Sequence, residues 1–371
     1  MATAAPPDDL QLTSVLLQFG LQPREFLAVS GGFSGARVWR VQTTTGQLMG
    51  LRLTAAALDR LELERRESIC RWMQFARANG CAWAPQPICP QNSAPAGSIG
   101  HCLLRQPEGW WQVEAWMPGR PVDDAPSPVQ LHQALAVLAR LHQTGRTWAR
   151  QESQMTAAEG RPGLARAASP GLQRRLHLVR ELQSGELTRL LTAAALDPDS
   201  EFRQLSLQLA QILRQRLPGL ARQLEEFAPR PFSLQPVLRD LWSPHLLFSG
   251  DQVTGVIDWN AASADHQAFD YSRLLASWYG WQAMDLLSAV SSSVAASAVG
   301  RLLPANCPPE GWTPTEHQLL RICVEASLLL SPVTWLHRRC AHGPATQAID
   351  PHVLTRYRHL VLLVSSPGQG A

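Results

Sequence analysis

Two aspartates carry the strongest chemical signal in this chain of 371 residues. Leu238-Arg239-Asp240-Leu241-Trp242-Ser243-Pro244-His245 runs into Leu246-Leu247-Phe248, a Ser249-Gly250-Asp251-Gln252 turn, and then Val256-Ile257-Asp258-Trp259. The eighteen positions from Asp240 to Asp258 span a tight hairpin. A hairpin folds back on itself, so both carboxylates are expected to face one cleft. Phosphoryl transfer needs such a pair. One carboxylate orients or deprotonates an acceptor hydroxyl, and the other holds Mg²⁺ against the β- and γ-phosphates of a nucleotide. The plainer alternative is an Asp that caps a turn and an Asp that ends a strand, both common placements.

A second constellation lies near the amino terminus. Ser30-Gly31-Gly32-Phe33-Ser34-Gly35 sits between two strand-like runs, where glycines allow close backbone approach and exposed N–H groups can meet phosphate oxygens. Most Gly-rich hairpins are only turns, so the loop gains meaning from the paired aspartates.

The elements that must position these residues follow from periodicity. Phe26–Val29, Ala36–Val41 and Leu48–Leu53 read as strands, with a turn at Thr44–Gln47. Ala55–Ala78 reads as a helix with Leu58, Leu61, Ile69, Trp72, Met73 and Ala76 on its apolar stripe and Gly80 as its stop. Cys81–Gly100 reads as loop, and His101–Leu104 with Trp111–Trp116 as a hairpin. Met117-Pro118-Gly119-Arg120-Pro121 is a break. Beyond it, Val129–Gln143, Leu172–Leu191, Phe202–Leu217 and most of Tyr271–Val364 show helical spacing, interrupted by the β island that carries the aspartates. The order predicts an α+β chain: a β-rich nucleotide-binding lobe over residues 1–117, and a helical catalytic and substrate-binding lobe over 118–371, with a helical insert at about 144–237.

This layout and these motifs resemble the aminoglycoside phosphotransferase/choline kinase-like family, relatives of the protein kinases. The family's pattern is His-x-Asp, an Asn five positions after that Asp, and a hairpin ending in Ile-Asp-Trp or Ile-Asp-Phe. The resemblance implies a bilobal protein-kinase-like fold and an ATP-dependent transfer to a hydroxyl of a small molecule. It implies Asp240, preceded by Arg239, as catalytic base, and Asp258 with His245 as ligands of Mg²⁺ or Mn²⁺. Asp270 is implied to brace the catalytic loop. Gly31, Gly32, Ser34 and Gly35 would cover the phosphates, and the backbone of Ala115, Trp116 and Met117 would receive the adenine.

The departures are specific. Arg52 in Leu51-Arg52-Leu53 stands where the family has a Lys, with Glu67 as its expected helix partner and Glu64 as the alternative; a solvated helix face explains these acids equally well. Arginine can hold phosphate through two N–H groups, but its fork is longer and bulkier than an ammonium. Leu238 replaces the His of His-x-Asp, and His245 replaces the Asn; imidazole suits Mn²⁺ better than Mg²⁺. These changes keep open an alternative, a catalytically impaired kinase-fold protein (a pseudokinase) that binds a nucleotide or a partner. His142 reads as structural, although the family often has a His there. His337, Arg338, Arg339 and His342 read either as an anion patch or as a basic helix end.

Composition narrows the field. All 33 basic residues are arginine, which excludes a lysine Schiff base or a P-loop lysine. A formal charge of +3 is too small to suggest nucleic acid as a partner. Seven scattered cysteines form no CxxC pair and fit reduced thiols. The acidic start lacks a basic signal region and no uninterrupted apolar run reaches membrane-spanning length, so a cytoplasmic protein without a membrane partner is expected. Between Thr144 and Val237 there are 13 Arg against 9 Asp and Glu. A site for polycationic antibiotics should concentrate carboxylates instead, so a neutral or anionic hydroxyl compound, such as a sugar or a phosphorylated metabolite, is expected as acceptor.

Overall fold

The computed structural model describes residues 7–29, 36–55, 58–91, 101–122, 125–157, 166–291, 312–341 and 348–365. Its contacts divide the chain into two compact units, residues 1–120 with 247–260, and residues 121–246 with 261–371.

The first unit opens with a helix, α1 (Asp9–Gln18), where the sequence reading has none. Its signal is local: Asp8 and Gln11 form a capping box, each side chain bonding the other's backbone N–H. The antiparallel strands β1 (Pro23–Val29), β2 (Arg37–Thr43) and β3 (Leu48–Ala55) follow as expected. Helix α2 (Arg60–Ala78) begins later than the apolar pattern suggests because Asp59 caps it, accepting from the Glu62 N–H. Ile69, Trp72, Met73 and Ala76 are buried, whereas Leu61 of the expected stripe is exposed. The segment read as loop contains a short strand, β4 (Pro87–Ile88), and the hairpin β5 (Leu103–Gln106) and β6 (Gly109–Ala115) completes a sheet ordered β1-β2-β3-β6-β4, with β5 on β6. Alternation along β3 and β6 sorts the side chains onto two faces. Leu51, Leu53, Trp111 and Val113 pack with Leu12, Val15 and Leu16 of α1. Arg52, Gln112 and Glu114 occupy the other face, where Gln112 and Glu114 line a small pocket with Arg66, Ile69 and Met73 of α2 and with Trp259 and Asn260.

In the second unit, α3 (Pro128–Ala157) runs past its expected end, and β7 (Arg166–Ala168) precedes α4 (Pro170–Glu181). A π turn at Leu182–Glu186, with Gly185 at φ 124°, separates α4 from α5 (Leu187–Ala195). Helix α6 (Ser200–Phe227) continues through Pro218, where proline chemistry predicts a stop. Leu213, Leu217, Leu220 and Leu224 are all buried on one stripe across the proline, and that burial outweighs the lost backbone bond. Then come β8 (Pro231–Ser233), paired with β7, and β9 (Gln235–Val237).

The hairpin β10 (Leu246–Ser249) and β11 (Gln252–Val256) lies among helices in sequence order, yet by contact it belongs to the first unit. The chain then returns to the second unit with β12 (Ser263–Asp265), paired with β9, and the helices α7 (Ala268–Tyr279), α8 (Gln282–Ser291), α9 (Pro314–Cys340) and α10 (Pro351–Ser365). Helix α9 is long and apolar enough to cross a membrane by length and composition, and 83% of that apolar window is buried inside the chain. Its apolarity is what a central packing helix requires.

Candidate active site

The two candidate carboxylates fall in different units, each with its own geometry. In the first unit the hairpin is stitched to the segment that follows β6. Arg120 and Phe248 exchange backbone hydrogen bonds at 3.0 and 2.8 Å, and the Thr254 hydroxyl donates to the Pro118 carbonyl at 2.6 Å. Glycine is needed at two points here. Gly119 has φ 102°, and a Cβ on Gly255 would lie 2.7 Å from the Met117 Cβ. The N–H groups of Ala115 and Trp116 already donate to the Gln86 and Leu48 carbonyls. Among the described residues no protein acceptor meets the Met117 N–H.

The hairpin ends on Asp258, a non-glycine residue held at φ 58°. Such a conformation costs of order 1–3 kcal/mol and persists only where surrounding structure enforces it. The Asn260 amide donates to Asp258 Oδ1 at 2.6 Å, Arg65 donates to the Asn260 carbonyl at 2.6 Å, and the Trp259 indole packs on Trp72 with ring centroids 4.7 Å apart. From β3, Arg52 Nη2 donates to the same Oδ1 at 3.3 Å. The Asp258 side chain remains 39% exposed and that of Arg52 18%. Glu114 lies close enough for both charges to act on it. Burial pushes its carboxyl up to about 7, with Arg52 opposing and Asp258 reinforcing the shift.

Glu67 does not join Arg52. Its carboxylate accepts the backbone N–H groups of Cys102 and Leu103 at 3.0 and 3.1 Å, which ties α2 to the start of β5. The arginines of α2 are served by Glu62, whose oxygens accept from Arg65 and Arg66 and whose pKa falls to about 2, chiefly through the Arg65 bond. Glu64 pairs with Arg60 on the exposed side.

In the second unit, the loop after β9 carries the other non-glycine residue with positive φ among the described residues, Arg239 at 67°. Asp270 of α7 holds it in place. Its two oxygens accept the N–H groups of Leu238 at 2.9 Å and Arg239 at 2.6 Å, and His142 Nε2 lies 3.0 Å from Oδ2. Burial lowers the His142 pKa, so the ring is neutral and donates through Nε2. Leu238, where the family has His, fills the core beside this brace. The Arg239 guanidinium turns toward buried Asp265, with Nε 3.8 Å from Oδ2. Asp240 itself is 45% exposed, and Arg273 of α7 donates to its Oδ1 from Nε at 3.2 Å and Nη2 at 3.1 Å.

A match to the phosphotransferase enzyme family covers residues 25–303. The chain belongs to that family. Its fold is the α+β protein-kinase-like one. An aminoglycoside phosphotransferase from Alicyclobacillus acidocaldarius aligns with a TM-score of 0.54 at 15% identity, over 97% of this chain and 92% of that one. A spectinomycin phosphotransferase, solved with ADP and spectinomycin, aligns at 0.59 and 11%, over 97% and 98%. An amicoumacin kinase, solved with AMP-PNP, Ca²⁺ and its antibiotic, aligns at 0.51 and 13%, over 97% and 93%. Identities this low speak of fold alone. No curated protein matches by sequence.

Several expected site residues of this phosphotransferase-family chain need restating. Gly31, Gly32, Ser34 and Gly35 lie outside the described residues. The metal reading of His245 meets a ring with both nitrogens engaged: Nδ1 lies 2.8 Å from the Asp240 carbonyl, and Nε2 accepts the Trp242 indole N–H at 2.9 Å. A metal on Nε2 has to displace that indole. Among the described residues no three His, Cys, Asp or Glu side chains converge as a preformed cage. The exposed Asp258 carboxylate is nevertheless a suitable hard oxygen donor for Mg²⁺, which is usually held by one or two carboxylates together with substrate phosphates. The sequence reading took Glu114 only as the start of the hinge segment, with no role for its carboxyl, and left out Arg273. The only hint of Glu114 was a charged residue in a strand otherwise built to be buried, and Arg273 gave no signal at all.

Proposed function

We propose that this chain transfers the γ-phosphoryl group of ATP to a hydroxyl of a small molecule. The observation that carries the reading is the strained backbone at both candidate positions, Arg239 beside Asp240 and Asp258 itself, within a family-matched chain. Strain of this kind is retained where a side chain must be aimed.

The roles follow from each unit's chemistry. In the first unit the Met117 N–H is free to meet the adenine edge, with Ala115 and Trp116 shaping the segment, and the Gly31–Gly35 loop covers the phosphates as the family resemblance implies. Arg52 exchanges Asp258 for phosphate oxygens, which its fork can hold through paired N–H bonds. Asp258 would hold Mg²⁺ or Mn²⁺, which supplies charge neutralisation at the β- and γ-phosphates. His245 keeps the 240–245 loop in shape through its contacts with the Asp240 carbonyl and the Trp242 indole. In the second unit both Arg273 bonds end on Asp240 Oδ1, so Oδ2 is the oxygen that accepts the acceptor's proton. The bond between the acceptor oxygen and γ-phosphorus forms as the bond to the bridging oxygen breaks. ADP leaves, and the proton passes to Asp240.

The pseudokinase reading rests on one specific observation, the capture of each acid by an arginine, Arg52 on Asp258 and Arg273 on Asp240. Activity separates the two. In Asp240→Asn, turnover across an alcohol library should fall by roughly 10²–10⁴ while nucleotide still binds. Asp258→Ala should weaken AMP-PNP binding in the presence of Mg²⁺ or Mn²⁺ and leave metal-free binding nearly unchanged. Binding of AMP-PNP by the wild type with no transfer to any alcohol supports the pseudokinase.

A further inference from the structure

Two thiols of the first unit touch. Cys89, which follows β4, and Cys102, which precedes β5, have their Sγ atoms 3.0 Å apart, although thirteen positions separate them along the chain. The side-chain amide of Gln74 on α2 donates to both sulfurs, at 3.4 Å to Cys89 and 3.5 Å to Cys102. A third thiol, that of Cys70 on α2, is hydrogen-bonded with Cys102. Cys102 is buried and Cys89 half-buried, so a reagent reaches the pair from the Cys89 side. The same stretch anchors α2, because the N–H groups of Cys102 and Leu103 hold the Glu67 carboxylate.

A disulfide bond is about 2.05 Å long, so the two sulfurs need to approach by only about 1 Å more. We propose that Cys89 and Cys102 are a reversible redox pair, which a low-molecular-weight disulfide such as oxidised glutathione converts to an intrachain disulfide tying the end of β4 to the start of β5. Cys89, as thiolate, attacks one sulfur of oxidised glutathione. The glutathione S–S bond breaks as the bond to Cys89 forms, and one glutathione leaves and takes up a proton. Cys102, as thiolate, then attacks the Cys89 sulfur and expels the second glutathione, also as a thiol. The chain loses two electrons and two protons, and one oxidised glutathione becomes two reduced ones. The Gln74 N–H bonds favour negative charge on either sulfur, and so assist both closing and reopening. Reopening has a further route, attack by the neighbouring Cys70 thiolate on Cys102. Contact with Cys102 and burial push the Cys89 thiol well above the ordinary range, and Cys70 and burial do the same for Cys102, with Glu67 adding to both. The exchange is therefore slow at neutral pH and faster in alkaline solution. It is independent of phosphoryl transfer.

The test exposes the full chain to oxidised glutathione at alkaline pH, alkylates the remaining thiols, and maps peptides without reduction. Cleavage after Trp83 and Leu103 places Cys89 and Cys102 on one peptide, and cleavage after Arg71 leaves Cys70 on another. The 84–103 peptide should appear unalkylated and lighter by two hydrogens than its reduced form. Excess reduced glutathione should restore both thiols. The closed bond restricts the unfolded chain, so oxidation should raise the melting temperature by at least about 3 °C. Cys89→Ser, at a half-buried position, should show neither the linkage nor the rise. Cys70→Ala should keep the 89–102 linkage and reopen more slowly than wild type. A peptide joining Cys70 to Cys102, a lasting glutathione adduct on Cys89, or no linkage at all would each overturn the proposal. So would a linkage that survives excess reduced glutathione, or an equal thermal response in wild type and Cys89→Ser.

Discussion

Glu114 is the residue whose chemistry is least conventional for its place. It stands on β6 facing Gln112, whose amide donates to it at 3.4 Å, and it is pushed up to about 7 mainly by burial. The sign of the resulting pH dependence can be worked out. Between about pH 4.3, where an unfolded glutamate titrates, and about pH 7, the folded chain binds more protons than the unfolded chain. Stability therefore falls as pH rises through that window, and the full cost is present above it. Glu114→Gln keeps the amide-sized shape and removes the titration. Its melting temperature should match wild type near pH 4.5 and exceed it at pH 8, where the variant gains stability on the order of 1–3 kcal/mol. Melting curves at several pH values check this, and parallel curves for the two proteins would show that Glu114 is solvated and ordinary.

At the scale of elements, one buried carboxylate joins three of them. Asp270 on α7 receives the backbone of the 238–239 loop and lies against His142 of α3. It thereby fixes the loop whose Leu238 side chain is buried in the core. An Asp270→Asn change puts an amide N–H against one of the two loop N–H groups, leaving a buried donor without an acceptor. Hydrogen bonds to a buried charge are worth about 1.5–3 kcal/mol each. The variant should lose about 2–4 kcal/mol of stability and at least tenfold in kcat, with nucleotide affinity little changed because the groups proposed to hold the nucleotide belong to the other unit. Denaturation midpoints and single-turnover rates report the two effects separately. A stable variant with full kcat would show that the loop holds its strained φ without this brace.

For the molecule as a whole, the telling fact is that residues 247–260 belong by contact to the unit formed by residues 1–120. The groups assigned to nucleotide and metal, Met117, Arg52 and Asp258, thus lie in one compact unit although more than 200 positions separate Arg52 from Asp258. Occupancy a hundredfold above the dissociation constant should add about 2.7 kcal/mol of stability. Hydrogen exchange with AMP-PNP and Mg²⁺ should then show protection rising together at the segment after β6 and in the β10–β11 hairpin. Protection confined to the helices of residues 121–246 would remove the nucleotide from the proposed place.

The strands β1 to β3, the β5–β6 hairpin and most of the apolar stripe of α2 were legible by reading along the chain, because period and turn chemistry are local properties. Arg52, Leu238 and His245 were legible too, as departures from a pattern. What local rules misjudged has local causes. Asp59 delays α2, the capping box at Asp8 founds α1, and a continuous buried stripe carries α6 through Pro218. The partners of the charged groups were decided only by tertiary packing. Electrostatic pairing depends on distance in space, so nothing in the order of residues could say that Arg52 meets Asp258 rather than Glu67. Nor could it say that Arg273 of α7 and Arg356 of α10 both meet the Trp242 indole. The strain at Arg239 and Asp258 belongs to the same class, since a disfavoured φ exists only where surrounding contacts impose it.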